Sequence, residues 1–95
     1  MSVKELWEEL EQIIAALASS GFAGIDGETI AKMDKCAASA AELNMKEGKR
    51  LIENLSDIMK AIVEGKSNDD SGFLRLTALD FYLKKHLPTE SVEDL

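Results

Sequence analysis

Cysteine, proline and histidine each occur once in this 95-residue chain, and aromatic residues make up only 5% of it. A lone cysteine, Cys36, forms no intramolecular disulfide and brings no second thiolate to a metal ion, so disulfide scaffolds and cysteine-based zinc modules are excluded and a reducing compartment is expected. Positive charge is also scarce: 11 Lys and Arg face 18 Asp and Glu, a formal net charge of -7. Such a surface repels phosphate backbones and anionic lipid, so neither nucleic acid nor membrane is an expected partner. Long hydrophobic runs are missing as well. The longest, Ile13 to Ala18, is far short of a membrane span, and Met1-Ser2-Val3-Lys4-Glu5 places charge where a secretion signal needs apolar residues. A cytoplasmic location is the expectation.

What is present is a helical period. The chain is 45% hydrophobic, and its apolar residues recur at three- and four-residue spacing rather than alternating with polar ones, which predicts an all-α protein. Ser2 and Glu5 form a capping box ahead of the stripe Val3, Leu6, Trp7, Leu10, Ile13, Ile14 and Leu17. Gly21 and Gly24 then break the helix, and Asp26 supplies a new N-cap. The second helix, about Gly27 to Leu43, is expected to bury Ile30, Met33, Ala37, Ala40 and Ala41. Asn44 tolerates a left-handed turn, and the run Asn44-Met45-Lys46-Glu47 is read as doubling as a cap for the third helix, giving an antiparallel hairpin. Leu51, Ile52, Leu55, Ile58, Met59, Ile62 and Val63 carry the third helix to Gly65. A polar connector, Lys66 to Ser71, precedes a fourth helix expected from Gly72 to Leu87, with Pro88 ending it.

Four such helices joined by short loops predict an up-down-up-down four-helix bundle, a single domain over 1–88 followed by an acidic tail at 89–95. The fourth helix carries more apolar surface than one seam of a bundle requires. Phe73, Leu76, Leu79, Leu83 and Leu87 share one side, while Leu74, Ala78, Phe81 and Tyr82 spread towards the other. That excess marks a candidate partner surface, with Phe73, Phe81 and Tyr82 as its aromatic members.

Residues capable of chemistry favour structural readings. His86 sits in the last turn of the fourth helix beside Lys84 and Lys85, where a cation complements the helix dipole more readily than it serves as a phosphate acceptor. Cys36, within an alanine-rich helix, reads as a small buried hydrophobe rather than a nucleophile. Glu5, Glu8, Glu9 and Glu11 read as a solvated face, because a bundle metal site needs inward carboxylates and usually a histidine three residues on. Lys32, Lys35, Lys46, Lys49 and Arg50 form too small a basic group for nucleic acid, but suit the docking of an acidic protein.

The hairpin of helices two and three resembles the histidine phosphotransfer (HPt) domain, a four-helix bundle that relays phosphoryl groups to and from receiver domains in bacterial two-component signalling. The small-residue segment Ala38-Ser39-Ala40-Ala41-Glu42-Leu43-Asn44 looks like the family's, and Leu51, Leu55 and Glu64-Gly65 continue the likeness, which spans residues 34–65. Asp34 stands where the family has its phosphorylated histidine, Ala37 where it has a lysine and Ala38 where it has a glycine. The resemblance therefore implies a degenerate HPt-like domain that keeps a docking surface without the phosphotransfer chemistry.

The expectation from sequence is a non-catalytic, HPt-like interaction protein, needing no cofactor and no metal, whose partner is a protein such as a response-regulator receiver domain. Its contact surface is centred on Asp34, with Lys32, Lys35, Ala38 and Ala41 around it. The alternative is a small helical adaptor or chaperone-like subunit that binds through Phe73, Phe81 and Tyr82 of the fourth helix.

Overall fold

In a computed structural model, which describes residues 2–85, the chain folds into four α-helices with no strand among the described residues. They are α1 (Val3–Ser20), α2 (Gly27–Glu42), α3 (Lys46–Val63) and α4 (Asp69–Lys85). Each helix packs on its sequence neighbours, and α4 closes the ring on α1. The connections at 21–26, 43–45 and 64–68 are short, as an antiparallel bundle requires. His86, Leu87, Pro88 and the acidic segment 89–95 lie outside the described residues.

Local chemistry sets the helix ends. Ser2 and Glu5 form the capping box reciprocally: the Glu5 amide donates to Ser2 Oγ at 3.1 Å, and the Ser2 amide donates to Glu5 Oε1 at 2.9 Å. Asp26 caps α2 by accepting from the Thr29 amide at 2.9 Å. Asn44 takes the left-handed conformation (φ 61°) just past α2; its amide and that of Met45 donate to the carbonyls of Ala41 and Ala40. That pattern is a Schellman closure. Gly65 (φ 77°) and Lys66 repeat it at the end of α3.

Two expected boundaries are corrected. Asn44 serves α2 alone, and α3 begins after Met45 with no side-chain cap. The fourth helix begins at Asp69 rather than Gly72, because Asn68 accepts from the Ser71 amide at 3.0 Å and Asp69 and Asp70 fill the first turn. Acidic groups there meet the positive end of the helix dipole. Gly72 thus falls inside the helix.

The core draws Leu6, Trp7, Leu10, Ile13 and Leu17 from α1, Met33, Cys36, Ala37 and Ala40 from α2, Ile52, Leu55 and Met59 from α3, and Leu76, Leu79 and Leu83 from α4. Ala41, expected inside, is exposed. The buried stripe of α2 runs through Met33, Cys36, Ala37 and Ala40, and Ala41 stands about 100° round the helix from Ala40. In an alanine run, side-chain size gives no clue to that register. Val3 and Val63, at the ends of their stripes, are likewise exposed, and Ile14, Ile30, Leu51, Ile58 and Ile62 are half-buried.

Phe22, in the connection after α1, is 1% exposed and closes one end of the core. Its ring meets Phe73 edge-on with centroids 4.9 Å apart. A Cβ on Gly72 would stand 2.8 Å from Phe22 Cζ and 2.9 Å from Ile62 Cδ1, so the absence of a side chain at 72 is what admits the ring. Trp7 Nε1 donates to the Leu83 carbonyl at 3.3 Å, tying α1 to the last turn of α4, where carbonyls lack helical partners.

Candidate interaction surfaces

The α2–α3 face is organised by Asp34. Ser56 Oγ donates to Asp34 Oδ1 at 2.7 Å, and Lys60 Nζ lies 3.3 Å from Oδ2. The Ser56 hydroxyl, with the Lys60 ammonium beside it, holds the carboxyl below the usual aspartate range. Ser56 is buried on the inner stripe of α3, between Ile52 and Met59, so the bond satisfies its hydroxyl while joining the two helices. Beside this group runs an open groove lined by Asp34, Ala38, Lys49, Glu53, Asn54 and Asp57.

Of the residues grouped from sequence on this face, the structure brings Asp34 and Ala38 together, with Ala41 on the same exposed side of α2. Lys32 lies elsewhere. Two residues along a helix is a rotation of about 200°, and Lys32 lines a groove with Glu9, Gln12 and Ile25 on the α1 side while reaching Glu28 at 3.7 Å. Lys35 is exposed between the two faces. Sequence reasoning did not include Ser56 or Lys60. A serine on an otherwise apolar stripe is a signal that a buried polar partner exists, but nothing in the chain says which helix supplies it.

Cys36 is buried. Burial pushes its thiol up to about 11, with the Glu9 carboxylate adding to the shift and Lys35 opposing it. At neutral pH the group is a protonated core side chain.

The second surface is the outer face of α4. Leu74 and Phe81 are each 69% exposed, and they stand two helical turns apart on one stripe with Ala78 between them. An open groove beside them is lined by Leu51, Leu74, Ala78, Phe81 and Tyr82, with Glu47 and Lys85 at its rim. The three aromatic residues expected here differ in placement. Phe81 points outward. Phe73 is 38% exposed and packs edge-on against Phe22. Tyr82 is half-buried, with its ring centroid 6.3 Å from that of Trp7 and its edge over Gly48, where an added Cβ would stand 3.2 Å away.

α4 is apolar on both sides: Leu76, Leu79 and Leu83 fill the core while Leu74 and Phe81 face away from it. No helix among the described residues is long and apolar enough to cross a membrane, and among those residues no group of three His, Cys, Asp or Glu is placed to hold a metal ion. No protein-family model matches the chain, and no curated protein or solved structure matches it.

Proposed function

We propose that this protein is a helical interaction domain that binds another protein surface through the outer face of α4. The observation that carries the reading is the pair Leu74 and Phe81, each 69% exposed, on a helix whose opposite side already fills the core. Isolated apolar residues on a surface are ordinary, but two large ones on a single stripe, flanked by a groove with Leu51 and Tyr82 in its wall, make a contiguous patch. Aromatic anchors in such patches carry a large share of binding energy. The test is quantitative capture by the immobilised full chain, wild type beside Leu74→Glu and Phe81→Glu. A protein lost with both variants and retained with Lys32→Glu binds at α4. A protein retained equally by all four uses another face and refutes the reading.

A second reading is favoured by the exposed small residues Ala38 and Ala41 next to the bonded Asp34 carboxylate. In it the chain is a degenerate HPt-like bundle that docks a receiver domain without carrying phosphate. Asp34, already engaged by Ser56 and Lys60, acts there as a fixed part of the contact surface. Ala41→Arg and Lys35→Glu would each weaken receiver binding at unchanged melting temperature, and the chain would acquire no phosphoryl label from a charged receiver. Binding that survives both substitutions in a folded variant removes this reading.

A further inference from the structure

The outer stripe of α4 is complementary to its own reverse. In order along the helix it presents Asp70, Leu74, Thr77 and Ala78, Phe81 and Lys85, all exposed. Inverted about the midpoint between Thr77 and Ala78, Asp70 falls opposite Lys85, and Leu74 falls opposite Phe81. Thr77 and Ala78, the two small side chains, fall at the centre. An acid, a large apolar residue, a small pair, a large apolar residue and a base form a self-complementary series.

From this we propose that the partner of the α4 face is a second copy of the chain, with the two α4 helices pairing antiparallel about a two-fold axis at Thr77 and Ala78. This rests on the reading of α4 as the contact face. A two-fold interface is isologous, so each contact occurs twice: Asp70 with Lys85 at both ends, and Leu74 with Phe81 on both sides of the axis. The small residues at the axis let the backbones approach, and the groove walled by Leu51, Leu74 and Ala78 receives Phe81 of the other copy.

The charges are available for this. Neither Asp70 nor Lys85 makes an ion pair with another described residue, whereas Lys84, one position away, holds Asp80 at 2.9 Å on its own helix. Acid at the N-terminal end and base at the C-terminal end also complement the helix dipole of the same copy, so the pattern places no strain on the monomer. Parallel pairing would set Asp70 against Asp70 and Lys85 against Lys85. The same two side chains that favour the antiparallel arrangement therefore disfavour the parallel one. A stripe one helix wide, about 25 Å long at the ordinary helical rise, lies at the small end of specific interfaces. The net charge of -7 on each copy opposes association. Pairing is accordingly weak and concentration-dependent.

The experiment is sedimentation equilibrium of the full chain over a wide concentration range, with Asp70→Lys and Lys85→Asp alone and mixed. The wild type is expected to pass from monomer to dimer. Each single variant sets like charges at both ends of the pair, raising the dimer dissociation constant by about tenfold or more, as two exposed ion pairs turned repulsive imply. In an equimolar mixture one copy is basic at both ends of the stripe and the other acidic at both, so the two end contacts are restored. The mixture is expected to dimerise about as well as the wild type. A dimer that forms equally in both single variants, or a mixture no better than either alone, overturns the antiparallel pairing. A wild type that stays monomeric at about millimolar concentration, a range in which even weak contacts register, also overturns it. The α4 reading itself falls by a separate result: capture of the same partner proteins by wild type and by Phe81→Glu.

Discussion

Gly72→Ala is a test of how the end of the core is built, because two opposing effects meet at one atom. In an exposed helix the change would stabilise by about 1 kcal/mol, the difference in helix propensity between glycine and alanine. Here the new methyl group would stand 2.8 and 2.9 Å from Phe22 Cζ and Cε2 and 2.9 Å from Ile62 Cδ1. Overpacking of a well-filled core costs about 1–3 kcal/mol. The Ile62 methyl is the end of a flexible side chain and can move, but the Phe22 ring is 1% exposed and held against Phe73. The clash with the ring therefore decides the sign, and a net loss of about 1 kcal/mol is expected from the middle of those ranges. Phe22→Leu removes the two ring atoms that clash. In that background Gly72→Ala should become neutral or stabilising, a coupling of about 1 kcal/mol or more between neighbouring sites. Urea unfolding of the four chains of this cycle, with unchanged m values, measures it. Additivity within about 0.5 kcal/mol, the behaviour of independent sites, would refute the claim that Gly72 exists to admit Phe22.

Leu55→Ala, at a fully buried position on α3, is expected to cost about 2–5 kcal/mol in the same assay, and a loss under about 0.5 kcal/mol would place Leu55 outside the core. Asn44→Ala should destabilise by about 1–2 kcal/mol because alanine resists the left-handed conformation, while Asn44→Gly should be tolerated. The Asp34 carboxyl is lowered by the Ser56 hydroxyl and then by Lys60, so its contribution is present above the usual aspartate range and lost as pH falls through the lowered value. The stability gap between wild type and Asp34→Asn should thus be widest near neutral pH and close in acid; a gap that widens in acid would contradict the assignment. Cys36, with its thiol at about 11, should react with a disulfide reagent at pH 8 only as fast as the protein opens, and much faster in urea.

The parts of this structure legible in the sequence are those that depend on residues close together in the chain. Ser2 with Glu5, Asp26 ahead of its helix and Asn44 in a left-handed turn each announce themselves within four residues, and the stripes of α1 and α3 fix which side faces inward. What was not legible depends on contacts between distant segments. Phe22 reads as a loop residue until Gly72 is seen opposite it, and Gly72 reads as a helix start until Asn68 is seen to cap α4. Ala41 is misplaced from sequence because an alanine run carries no size pattern to set its register. On the α2–α3 face, Asp34 was legible as a candidate, but its partners Ser56 and Lys60 lie on another helix. On α4 the excess of apolar residues was visible, whereas the division of labour among them was not: Phe81 stands out from the bundle while Tyr82 lies against Trp7 and Gly48.

The claim that the α4 face pairs with a second copy of the chain is tested most directly by amide chemical shifts of the isotopically labelled full chain, followed from dilute solution to about millimolar concentration, where weak contacts become populated. The account predicts concentration-dependent shifts centred on Leu74, Ala78 and Phe81, extending to Asp70 and Lys85 and absent from the Phe81→Glu variant. Shifts confined to Lys35, Ala38 and Ala41, or spectra that do not change with concentration, would contradict it.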